Sequence, residues 1–287
     1  MTISARLKDI CRRRLWPNGR KLAWPLGLFL GVAICLASTC QAKPPELSFG
    51  GEKVPLSRPE VHESVDQQLL LLSEAKSRVW LTLRRSSRYL PIIENALKSQ
   101  NVPLDFKYLP MALANLSPDY RNGARRGLWR LSEAEAASMG LKINKEVDER
   151  LDPVASSAAA AAKIASLKKS YGTWTMALSA FLDATATNTA MAEAGSKDYY
   201  SLYVPETLDQ NVSLVLAGKV LYSDLSAYGY RTGQSWPVLA NGRRLLDSPA
   251  SLKTAAENYK IDIRTFRDMN PHILTDTAPA GSYLNIP

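Results

Sequence analysis

Between Val65 and Tyr230 apolar residues recur at helical spacing, and no long alternating strand pattern appears. A stretch with that period can bury its apolar surface only by packing helix on helix. Tyr89, Ile92, Ile93, Ala96 and Leu97 fall on one helical stripe. Ala158 to Lys168 is alanine-rich, which lets a helix pack closely, and Tyr171-Gly172 supplies its C-terminal stop. Trp174, Ala177, Leu178 and Phe181 give the next apolar face. Pro205-Glu206 opens another helix, with a carboxylate at the positive end of its dipole and Val212, Val215, Leu216 and Val220 as the inner stripe. The fold class predicted is mainly α.

The flanks differ. Residues 43–64 are rich in Pro, Gly and charge and read as a linker, and residues 231–242 read as a second one. Beyond it, Arg243–Leu246 predicts a short strand. Ser248-Pro249 predicts a helix start as N-cap and first helical residue, with Leu252, Ala255, Ala256 and Tyr259 on one face. A second short helix carries Ile263, Phe266 and Met269 and stops at Asn270-Pro271; Tyr283–Ile286 predicts a closing strand. The expected organisation is a leader over 1–42, a linker over 43–64, a helical domain over 65–230, a linker over 231–242 and a small β-α-α-β domain over 243–287.

The net charge of +9 is concentrated at the front: residues 1–21 hold seven cations against Asp9 alone, leaving +3 for the rest. Leu22 to Cys40 carries no charge. A basic stretch, an apolar stretch and then small residues is a secretion leader. Three fates stay open for it: cleavage at Cys40-Gln41-Ala42, retention as an inner-membrane anchor, or lipidation at Cys40. The weakly basic remainder has no basic stripe, which argues against a nucleic-acid partner. The pairs Arg125-Arg126 and Lys168-Lys169 also read as solvated surface. All three cysteines (Cys11, Cys35, Cys40) lie in the leader, and His62 and His272 are far apart without nearby ligand sets. No cysteine or histidine metal site, no histidine triad and no cofactor are expected.

Four blocks then stand in order: LPMALANLSPDYRNGARRGLWRL (109–131), VDERLDP (147–153), YGTWTMALSAFLDA (171–184) and VPET (204–207). In this order and spacing residues 65–230 resemble the lytic murein transglycosylases, whose blocks read LPxxES, G-[IL]-W-Q and AYNxG. The resemblance implies a lysozyme-like helical domain of SLT type. It also implies a site built on one glutamate, acting first as acid on the glycosidic oxygen and then as base while the sugar's C6 hydroxyl closes on C1. Such a carboxyl needs a pKa raised by burial. At that glutamate stands Leu113, and at the following serine Ala114. The glutamine after the tryptophan is Arg130, the tyrosine and asparagine of AYNxG are Phe181 and Leu182, and its glycine is Ala184. Leu109-Pro110, Gly127, Trp129, Asp148-Glu149-Arg150, Asp152-Pro153, Tyr171-Gly172, Trp174 and Pro205-Glu206-Thr207 match the family. By the resemblance, scaffold is kept and chemistry replaced.

The tail resembles a divergent LysM domain, a peptidoglycan-binding module, through Leu252, Ala255-Ala256, Asn270-Pro271, Gly281 and Leu284–Pro287. The opening GDTL is missing, and Asp247–Leu252 stands in its place.

Asp183 is the best spare acid. Glu133 and Glu135 fit a capping box on Ser132, Asp119 a turn, and Asp148 and Glu149 a pairing with Arg150. Trp129 is open to two readings, stacking on a sugar or filling the core. Arg125, Arg126 and Arg130 are glycan-binding candidates for the carboxylates of a peptide-bearing glycan, or a solvated positive face. The leading expectation is a non-catalytic peptidoglycan-binding or scaffolding protein in the periplasm of a Gram-negative bacterium. Two alternatives stand beside it: an active, divergent enzyme using a displaced acid, and a regulator docking on cell-wall enzymes through protein contacts.

Overall fold

The computed structural model describes residues 46–231, 233, 235–238, 240 and 242–287. The leader and its processing site lie outside the described residues. The helical region contains α1 (Pro59–Glu74), α2 (Lys76–Ser99), α3 (Tyr108–Ala114), α4 (Glu133–Ser138), α5 (Pro153–Tyr171), α6 (Trp174–Leu182), α7 (Ala184–Ala194) and α8 (Glu206–Ser223). Among the described residues no helix is long and apolar enough to cross a membrane. The predicted helical stripes are buried: Ile93 and Leu97 on α2, Ala160, Ala161 and Ile164 on α5, and Val212, Val215 and Leu216 on α8. Helix α8 packs on α1 and α3, while α5 packs between α2 and α6. Where α3 and α8 cross, a methyl group at Gly218 would stand 3.0 Å from Ala112 Cβ, so the glycine sets the approach of the two helices.

The linker expected over 43–64 is corrected from residue 47 onward. Leu47–Phe49 (β1) and Glu52–Val54 (β2) pair antiparallel, and α1 starts at Pro59. Gly50 and Gly51, with φ of +60° and +80°, close the hairpin in a conformation that suits glycine. Leu47, Phe49, Val54 and Leu56 enter the main core. Phe49 meets Phe106 edge-on at 5.0 Å, and Phe106 meets Trp174 at 5.7 Å. The Glu52 carboxylate accepts from the Trp174 and Thr175 amides and pairs with Lys168. It is thus an anion at the N-terminus of α6, where the dipole favours it.

In the tail, Gly242–Leu245 (β3) pairs antiparallel with Tyr283–Ile286 (β6), and Leu252–Asn258 (α9) and Ile263–Met269 (α10) lie between them in sequence. The β-α-α-β order is as read. An additional short pair, Ala250–Ser251 (β4) with Thr277–Ala278 (β5), carries no sequence signal at two residues per strand. The helix start is also corrected: the N-cap is Ser251, whose Oγ accepts from the Thr254 amide, and Ser248-Pro249 lies in the preceding turn.

The described residues of helical region and tail belong to one compact unit. The tail sits directly on the VDERLDP block: Asp148 N–H donates to the His272 carbonyl (2.9 Å), Leu274 N–H to the Glu146 carbonyl (2.8 Å), and Val147 joins the tail's own core with Leu252, Phe266 and Ile273. Arg243 pairs with the buried Asp152 and lies over the Tyr283 ring. The described part of 231–242 is tied to α2 rather than free, through Trp236 N–H to the Arg84 carbonyl and the Arg88 guanidinium to the Pro237 carbonyl.

Candidate functional site

Helix α3 is apolar throughout and buried from Tyr108 to Ala114; Leu113 is 4% exposed and Ala114 fully covered. The helix ends abruptly. Asn115 and the buried Leu116 both adopt left-handed backbone, with φ of +52° and +49°. For leucine that conformation is uncommon and costs about 1–2 kcal/mol. The end is held from α2: Arg78 donates to the Ala112 carbonyl (2.8 Å) and to Asn115 Oδ1 (3.1 Å), and Arg85 donates to the Asn115 carbonyl (3.0 Å).

Trp129 fills the core. It is 1% exposed, its indole N–H donates to Ser157 Oγ at 3.0 Å, and its ring meets Phe181 edge-on at 6.0 Å. Of the two readings of Trp129, sugar stacking is therefore corrected to core packing, because no face of the ring reaches solvent. Phe181 is buried with it, and Leu182 is half-covered. Asp183, the spare acid, is exposed and caps α7 by accepting from the Ala186 amide at 2.9 Å, which explains an acid at this position without chemistry.

Gly127 opens the turn that sets Arg130. Its φ is +77°, and an added Cβ would lie 1.9 Å from the Arg150 carbonyl oxygen. Only glycine fits. Arg150 is clamped by a bidentate pair with Asp148 (2.8 Å on both arms), as expected, whereas Glu149, expected to pair with it too, instead accepts from the Lys142 amide at 2.7 Å. The capping box on Ser132 is present, and its Glu135 also receives both arms of Arg125 (2.8 and 3.0 Å). Arg126 stands 3.7 Å from Asp148. Two of the three arginines proposed to hold glycan carboxylates thus already face carboxylates of the chain itself.

Arg130 is different. Its own backbone is left-handed (φ +52°), its guanidinium lies over the Tyr120 ring at 5.5 Å, and its one hydrogen bond, to Asn211 Oδ1, is long at 3.4 Å. Its Nε is buried without a partner. Burial pulls its pKa below the usual arginine value, with Arg125 and Arg78 acting in the same direction. Sequence reasoning missed Arg78, Arg85, Tyr120 and Asn211. The two arginines stand seven residues apart on one face of α2, a spacing that was legible, but only the fold shows what that face meets. It also missed a pocket of about 330 Å³ between α1 and the segment before α8, walled by Glu60, Tyr199, Tyr203, Glu206 and Asp209.

With the mainly helical domain and its buried, apolar α3 described, the comparisons with known proteins can be set beside it. Residues 92–203 match the Transglycosylase SLT domain. It is similar to membrane-bound lytic murein transglycosylase D of Escherichia coli K12, at 25% identity over 249 residues, and equally to that of strain O6:H1. These alignments cover 84% of this chain and 55% of each relative, so the chain spans about half the length of the curated relatives it matches.

Proposed function

We propose that this chain is a non-catalytic member of the lytic transglycosylase family that binds peptidoglycan in the cell envelope, exported by its N-terminal leader. In this reading residues 65–230 are a degenerate SLT-type domain and residues 243–287 a LysM-like module. One observation carries it. At the position where the resemblance puts the acid–base glutamate, Leu113 is buried in an apolar helix. Its side chain has no titratable atom, and α3 around it offers no acid. The best spare acid, Asp183, is engaged as a helix cap. Loss of a proton donor leaves contact with the glycan intact, since binding rests on shape, hydrogen bonds and cation–carboxylate contacts rather than on proton transfer.

The exported form, incubated with purified peptidoglycan, is expected to release no 1,6-anhydro muropeptides by mass spectrometry and to sediment with the insoluble polymer, less so as salt rises. Release that disappears in Asp183→Asn would establish a displaced-acid enzyme instead. Protein that stays in the supernatant at low salt would leave the regulator that docks on cell-wall enzymes as the better account.

A further inference from the structure

We propose that Arg78, Arg85 and Arg130 form a carboxylate-binding subsite at the end of α3, one that takes the free carboxylates of peptidoglycan stem peptides. The inference rests on the peptidoglycan-binding reading above and deepens it. Three guanidinium groups reach this place from α2 and from the turn after Trp129. Arg78 and Arg85 both bond Asn115, and Arg130 lies over the ring of Tyr120, whose N–H donates to the Ser117 carbonyl in the turn that leaves the end of α3. Among the described residues none of the three has a carboxylate within 4.0 Å, whereas their neighbours Arg125, Arg126 and Arg150 each have one.

Half-buried cations without a counter-charge are costly, and a cluster of them more so. The guanidinium fork is also shaped for a carboxylate and carries five donors. Arg78 uses two of these, Arg85 one, and Arg130 only the long contact to Asn211. Donors therefore remain at all three, and the Arg130 Nε has no partner in the folded chain. The backbone around them is strained as well: Asn115, Leu116 and Arg130 are three of the five left-handed non-glycine residues among those described. Strain of this kind gathers where a structure holds a binding geometry. A purely structural role explains Arg78 and Arg85, which secure the end of α3. It accounts less well for Arg130, whose guanidinium has, among the described residues, the Tyr120 ring and the long contact to Asn211 but no carboxylate.

The test uses the exported full chain and three soluble probes: a disaccharide-peptide muropeptide with free carboxylates, the same muropeptide with its carboxylates amidated, and a chitin oligomer without carboxylates. Titration calorimetry is paired with thermal melting. For Arg130→Gln the expected result is about tenfold weaker binding of the free-acid muropeptide at an unchanged melting temperature. Amidation should weaken wild-type binding by a similar factor, with no further loss in the variant, since both remove one interaction. Chitin-oligomer binding should be the same for both proteins. Equal wild-type affinity for acid and amidated muropeptide overturns the subsite while leaving peptidoglycan binding in place. No binding of any probe overturns the underlying reading as well.

Discussion

Single residues decide what this core tolerates. Gly127 is the sharpest case, because both its backbone and its missing side chain are required. Gly127→Ala places a Cβ inside contact distance of the Arg150 carbonyl and asks alanine to hold φ +77°. We expect a loss of at least ~2 kcal/mol in urea unfolding, from the left-handed penalty plus overpacking. Leu113→Glu tests the covered centre. A carboxyl group there loses solvation, so its folded pKa rises above the unfolded value of about 4.3. The neutral acid is tolerated better than the anion. The variant's deficit is therefore smallest below that unfolded value and grows as pH rises toward the raised folded value. Unfolding at pH 5 and pH 8 should show the larger deficit at pH 8, and no glycan cleavage should appear. Wild-type stability at both pH values would mean that Leu113 faces an open, hydrated cleft.

Elements were legible to different degrees. The long helices could be read because 18 to 24 residues of helical period leave several repeats of the same stripe, as in α2 and α8. The β1–β2 hairpin could not, because three residues per strand leave one alternation, and Pro and charge around it look like a linker. The tail's two outer strands and the existence of its two helices were readable; the two-residue strand pair, the first helix's start and the tail's seat were not. That seat depends on the ion pair from Arg243 to Asp152, a side chain with no exposure that also caps α5 through its other oxygen. Arg243→Ala leaves a buried charge with one side unpaired, which costs about 3 kcal/mol where such pairs are broken. Hydrogen exchange should then quicken in residues 243–287 and at Glu146–Asp148, while α8 keeps its protection. Uniform protection in the variant would show the backbone bonds at 146–148 to be sufficient on their own.

At the scale of the whole molecule, the buried tyrosines set an alkaline limit. Burial pushes the Tyr200 and Tyr222 hydroxyls up to about 12 and that of Tyr199 well above the ordinary 10. For an acid whose folded pKa is raised, the stabilising contribution is complete below the unfolded pKa and is lost as pH rises through the folded one. Stability should therefore hold to about pH 10 and fall steeply toward pH 12. The far-UV circular dichroism signal and the tyrosinate absorbance should change together. If these tyrosines ionise while the helical signal persists, they are reached by solvent without unfolding.

The sequence by itself determined the helical class, the order of the tail, the family resemblance and the leucine, Leu113, that stands where that resemblance puts a glutamate. Each of these is written in local period, turn chemistry or residue identity. Only the tertiary structure decided that Trp129 is core, that Asp183 is a cap, and that Arg125 and Arg126 face internal acids while Arg78, Arg85 and Arg130 face none among the described residues. The reason is physical: burial and charge pairing depend on neighbours as distant as Asn211 from Arg130 and Asp152 from Arg243, and no local pattern records which residues the chain will bring together.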